Sequence, residues 1–168
     1  MPSETAATPF RVTADEGLAS VWFKTGRPTV KVSGAETGNA FAQIETDDPR
    51  GGAPPLHVHH KEDEAFHVLE GEVAFFAGGD RIDLSTGDCC FAPRDVPHTH
   101  VVRSEPARML TTLCPSGLEE LLVGLGVPVT DAERPTENVL PPMGELVRLF
   151  AGYGCEVLGP PPTLEDVS

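Results

Sequence analysis

No run of apolar residues approaches the roughly 20 needed to cross a bilayer. The opening stretch, Met1 to Phe10, lacks the basic and apolar blocks of a secretory leader. Both absences predict a cytoplasmic protein. Basic residues are scarce: 12 Lys and Arg stand against 26 Asp and Glu, a net charge of −14. Such a surface repels phosphate backbones and anionic lipid, so neither nucleic acid nor membrane is an expected partner. Cysteine is limited to Cys89, Cys90, Cys114 and Cys155, which a reducing compartment keeps as thiols. Adjacent side chains on a strand point to opposite faces, so Cys89 and Cys90 are poorly placed to share a zinc ion. There is no internal repeat and no low-complexity block.

Glycine and proline, by contrast, are abundant at 17 each, which favours many short strands and tight turns over long helices. A chain of 168 residues with 39% hydrophobic content suits one core. β-prone runs at Val21–Phe23, Thr29–Ser33 and Asn39–Glu45 are separated by glycine-containing turns. The stretch from Glu64 to Pro93 is cut by Gly71 and by Gly78 with Gly79, and reads as a β-meander. With Ala107–Cys114 the total reaches about eight strands, a number that suits a jelly-roll barrel. The expected fold is therefore all-β, a jelly-roll barrel over residues 1–115 that includes the N-terminal strands.

After Pro115 the pattern turns helical. Ser116 is placed to cap GLEELLVGLG, which has acids in its first turn and stops at glycine. Asp131 to Pro142 reads as a polar connection, and in MGELVRLFAGYG the residues Leu146, Leu149 and Phe150 share one helical face suited to docking. These readings predict C-terminal helices over 116–158 packed on the barrel and a flexible tail over 159–168.

All six histidines fall between His57 and His100. His57 and His59, two apart on a strand, project from one face and can reach a single ion. Glu64 follows at a distance that suits a third ligand, and a folded barrel could return His98 as a fourth. Imidazoles with one carboxylate suit one divalent transition metal ion, whether Fe, Mn, Ni, Co, Cu or Zn, and leave positions open for water or substrate.

The segment GGAPPLHVHHKEDEAFHVLEG, Gly51 to Gly71, resembles the first cupin motif, GxxxxxHxHxxxxExxxxxxG, at every fixed position. GDCCFAPRDVPH, Gly87 to His98, resembles the second motif, GxxxxxPxGxxHxxxN, at its glycine, proline and histidine. Asp95 stands where that motif has glycine and Val102 where it has asparagine; Asp tolerates a positive φ better than most residues, so the turn can survive. The resemblance implies a cupin barrel with His57, His59, Glu64 and His98 as ligands. The helical tail is similar to that of bacterial single-domain cupins related to quercetin dioxygenases, and cupins of this kind commonly pair, which implies a homodimer.

Around the ligands, His60 and Glu62 read as solvent-facing, and strand parity sends His67 outward and Phe66 inward. Phe66 and Phe75 are candidates for an apolar substrate pocket. His100, two after His98, reads equally as a base beside the ligands and as a hydrogen-bonded histidine of the wall. Three function classes follow for a small-molecule substrate. The first is a quercetinase-like dioxygenase with Glu64 as metal-bound base. The second is a non-oxidative cyclase, isomerase or decarboxylase of secondary metabolism, and the third a non-catalytic binding protein.

Overall fold

The computed structural model describes residues 8–23, 26–130 and 140–168. The first strands are β1 (Ala19–Trp22), β2 (Arg27–Val32) and β3 (Ala42–Asp48), with the single-turn helix α1 (Gly34–Thr37) between the last two. β4 (Leu56–His59), β5 (Asp63–Glu70), β6 (Glu72–Ala77), β7 (Asp80–Ser85), β8 (Cys89–Ala92), β9 (His98–Val102) and β10 (Ala107–Cys114) follow. Then come α2 (Leu118–Leu125), the short β11 (Val127–Pro128), α3 (Met143–Gly152), β12 (Cys155–Gly159) and a 3₁₀ turn at Leu164–Val167. The polar connection expected from Asp131 lies, as far as residue 139, outside the described residues.

Two antiparallel sheets make the jelly roll, one of seven strands in the order β11-β1-β2-β3-β10-β5-β8 and one of five in the order β12-β4-β9-β6-β7. They face one another without closing into one continuous barrel. The fold is all-β with short helices, as the composition predicts. The β-meander does not form: β5 pairs with β8 and β10, whereas β6 pairs with β7 and β9. The crossing between sheets occurs at Gly71, whose φ is 93° and whose missing side chain makes room for Pro106 and Ala107. A glycine there looks like a hairpin turn in sequence because both roles need the same backbone freedom.

The interior divides by sheet end. Phe66, Val68, Val73, Phe75, Leu84, Cys90, Ala92 and Met109 form one cluster between the sheets. Ala42, Ile44, Leu113 and Cys155 form another, against which α2 sets Leu118 and Leu121 and α3 sets Leu149 and Phe150. The expected cap of α2 is different in the fold. Ser116 makes no side-chain bond there; instead Glu119, 2% exposed, reaches back to the Gly117 N–H at 2.6 Å and across to the Gly34 N–H at 2.9 Å.

Two C-terminal expectations need correction. Cys155–Gly159 is a strand added to the edge of β4, not part of a helix. The tail is docked, because alternation along β6 and β9 turns Ala74 and Val101 to the outer face of their sheet, and these apolar residues need cover. Leu164 and Val167 supply it, Val167 being 7% exposed. Burying one aliphatic side chain is worth roughly 1.5–3 kcal/mol, so deleting residues 160–168 should cost a few kcal/mol in urea unfolding. An unchanged midpoint and slope would show the tail to be undocked in solution.

Candidate metal centre

β4 lies between β9 and β12, and its alternation turns His57 and His59 to the same side. His57 is the Cα partner of His98 across the β4–β9 pair, which brings three imidazoles together from two adjacent strands. The carboxylate comes from the opposite sheet: on β5, Glu64, Phe66 and Val68 point inward while Ala65, His67 and Leu69 are exposed. The cluster therefore bridges the two sheets.

One potential ligand atom from each of His57, His59, Glu64 and His98 lies within 4.8 Å of all the others. Nitrogen and oxygen ligands sit about 2.0–2.2 Å from a transition ion, so donors on opposite sides of one ion are separated by roughly 4.4 Å. The cluster is of that size. Its orientation fits as well. Nδ1 of His57 donates to the Pro55 carbonyl at 2.7 Å and Nδ1 of His98 to the Val96 carbonyl at 3.0 Å. A carbonyl can only accept, so Nδ1 carries the proton and Nε2 keeps its lone pair for a metal. Nε2 of His98 and of His59 lie 2.7 Å and 3.3 Å from the same Glu64 oxygen.

The electrostatics are those of a buried site in which the imidazoles and carboxylates act on one another. Burial, then the neighbouring His98, pulls His57 down to about 4. Burial acts to raise the Glu64 carboxyl, but His98 beside it and the other nearby imidazoles outweigh it and hold the group below its ordinary value. For His59 burial opposes the charged form, yet its bond to Glu62 and the charges of Glu64 and Glu62 prevail and raise it.

The loop before His98 explains how Asp95 replaces the motif glycine. Asp95 adopts φ 64°, its N–H donates to the His59 carbonyl at 2.7 Å, and its carboxylate accepts from His60 Nδ1, also at 2.7 Å. Next to it, the Arg94 guanidinium forks onto Asp63 at 2.8 and 3.1 Å. Val102, in place of the motif asparagine, is fully buried and exchanges backbone bonds with Gly51 and Gly52. His60 and His67 are exposed, as read from the sequence. Glu62 is not: it is 2% exposed, with its carboxylate 3.3 Å from His59 Nδ1. The tight loop between β4 and β5 breaks strand parity, so alternation could not place it.

The cluster opens into a cavity of about 210 Å³. Phe66 and His100 line it, together with Ile44, Leu113, Leu118 and Leu122. Phe75, expected in the lining, is 0% exposed and lies behind it, its ring stacked on those of His98 and His100 at 5.9 and 6.3 Å. It faces inward as parity requires, but Phe66, 4.8 Å away, covers it. Burial, then the imidazoles of His57 and His98, pulls His100 down to about 4. Among the described residues its ring has no hydrogen-bond partner, unlike His57, His59 and His98. One wall was not foreseen. Met143, Leu146, Val147 and Phe150 of α3 line the same cavity as the histidines. Leu146 and Phe150 belong to the apolar face that the sequence marks, but spacing does not say what that face covers.

Residues 43–113 match a family model described as a cupin domain. The match takes in less than half of the chain. Over 107 residues the chain is 31% identical to quercetin 2,3-dioxygenase of Bacillus subtilis (strain 168), covering 64% of the chain and 32% of the relative. It is 32% identical to quercetin 2,3-dioxygenase of Aspergillus japonicus, covering 60% and 31%. The chain thus spans about a third of the length of these curated relatives. A RmlC-like cupin from Shewanella frigidimarina NCIMB 400 superposes with a TM-score of 0.56 at 16% identity, over 67% of this chain and 96% of that one. A predicted oxalate decarboxylase from Thermotoga maritima gives 0.55 at 18%, over 64% and 99%. These two likenesses establish the fold. Among the described residues, no helix is long and apolar enough to cross a membrane.

Proposed function

We propose that this cupin is a metal-dependent dioxygenase of the quercetinase type, acting on a small aromatic or enolisable molecule. The observation that carries the reading is the opening of the His57, His59, Glu64 and His98 cluster into a largely apolar cavity. A flat organic molecule could set a hydroxyl at the donor cluster and its rings against Phe66 and α3. The likeness to two quercetin 2,3-dioxygenases supports the choice among reactions that this ligand set can serve.

When bound, a divalent ion supplies Lewis acidity, lowering the pKa of a substrate hydroxyl or enol. The remaining steps belong to the chain. Glu64 Oε2, 2.7 Å from His98 Nε2, is the proposed base for the hydroxyl proton. His100 offers a second basic nitrogen in the cavity, free of hydrogen bonds within the described residues, and can take or relay that proton. The apolar walls hold the substrate and exclude bulk water, so a carbanion-like enolate is not quenched by solvent.

The test is oxygen consumption by metal-loaded protein with quercetin and with simple catechols. Oxygen uptake coupled one-to-one to substrate loss is expected. Conversion without uptake would replace the oxygenase with a cyclase, isomerase or decarboxylase of small-molecule biosynthesis. Binding without turnover would leave a ligand-binding cupin.

A further inference from the structure

Glu62 is outside the donor set, yet it is more deeply buried than Glu64, 2% against 5% exposed. Removing a carboxylate from water is costly and persists where a charged or strongly polar partner repays it. Among the described residues the Glu62 carboxylate has one hydrogen-bond partner, Nδ1–H of His59 at 3.3 Å. The loop between them is pinned on both sides, by the His60 N–H on the Gly154 carbonyl at 2.8 Å and the Asp95 N–H on the His59 carbonyl at 2.7 Å. Cys155, the Cα partner of His59 on β12, is 1% exposed.

The three imidazoles are therefore not equivalent. His57 and His98 are backed by neutral carbonyls, whereas His59 is backed by a carboxylate. A carboxylate on Nδ1–H fixes the tautomer and pushes electron density towards Nε2, making that nitrogen the stronger donor. Charge points the same way. Glu62 and Glu64 together carry two negative charges into the buried site, equal and opposite to one divalent ion.

We propose that Glu62 is a positioning residue of the metal centre, holding His59 in its ligating tautomer, strengthening it as a donor and completing the charge balance for a divalent ion. This rests on the reading of His57, His59, Glu64 and His98 as the ligands.

The test uses the full chain and Co²⁺ alone, with affinity measured against a chromophoric chelator for wild type, Glu62→Gln, Glu62→Asp and His57→Ala. Outer partners of ligating histidines are worth about 10–100-fold in metal affinity. Glu62→Gln, which keeps the shape and removes the charge, is expected to weaken Co²⁺ binding within that range and to shift the visible bands of the bound ion. Glu62→Asp, which keeps the charge on a shorter arm, should recover part of the affinity. A Gln variant with wild-type affinity and spectrum, beside a His57→Ala variant that has lost the ion, would overturn the role of Glu62 alone. If His57→Ala also binds normally, the four-ligand reading fails with it. A Gln variant that does not fold leaves the Asp variant to decide: its affinity lies between wild type and His57→Ala if the proposal holds, and equals wild type if it does not.

Discussion

Replacing Glu64 by glutamine is expected to cut affinity for a divalent ion by more than about 100-fold while the protein still folds. The magnitude follows from comparison with outer partners, whose loss costs about 10–100-fold; a donor that touches the ion must exceed them. Glu64 is the only anionic member of the cluster, and it alone comes from the seven-stranded sheet. A glutamine oxygen can still occupy the position, but it is a neutral and much weaker ligand in a site where burial magnifies charge. It also cannot act as the base proposed for the substrate proton. Metal content after dialysis, measured on wild type and Glu64→Gln, gives the answer directly. Equal, stoichiometric metal in both would place the binding site elsewhere in the molecule.

Folding should survive because the apolar contacts of β5 come from residues beyond Glu64. Phe66 and Val68 anchor the strand in the interior, and the whole of β5 is laddered to β10. Glutamine keeps the volume, so no cavity opens. The same reasoning separates this variant from His98→Ala, which leaves Glu64 buried with one fewer partner and pays for a lost packing contact with Phe66 and Phe75 as well.

The four candidate ligands were legible in the sequence for different reasons: His57 and His59 are strand-spaced, Glu64 follows across one short loop, and distant His98 was marked by its resemblance to the second motif. Glu62 was not, since the loop between His59 and Asp63 has no periodicity from which a side-chain direction can be read. Topology failed at Gly71 for a related reason. Sequence shows that the chain must turn sharply, but pairing across it depends on which strand returns from far along the chain, here β10 and β9. The tail escaped because its apolar content is only Leu164 and Val167 beyond three prolines, and what holds it is the outward face of β6 and β9. An amphipathic pattern announces that a face needs cover. It does not name the cover.

The second large effect is expected on α3. Met143, Leu146, Val147 and Phe150 recur at helical spacing and line the cavity that begins at the metal cluster. Val147 is half-buried among them, so Val147→Trp places an indole into the space that the substrate is proposed to occupy. Binding of quercetin, followed by fluorescence quenching, should weaken by at least about tenfold, which is 1.4 kcal/mol. Metal content should stay at the wild-type level, because none of the four ligands lies on α3. Stability distinguishes the cavity from a filled core. Forcing extra atoms into a packed interior costs typically 1–3 kcal/mol, whereas a ring entering a cavity of about 210 Å³ gains contacts instead. Weaker quercetin binding with an undiminished melting temperature is thus the expected pair of results. Unchanged binding would move the substrate site off this wall, and a steep loss of stability would mean that α3 is packed against the jelly roll with no room between them.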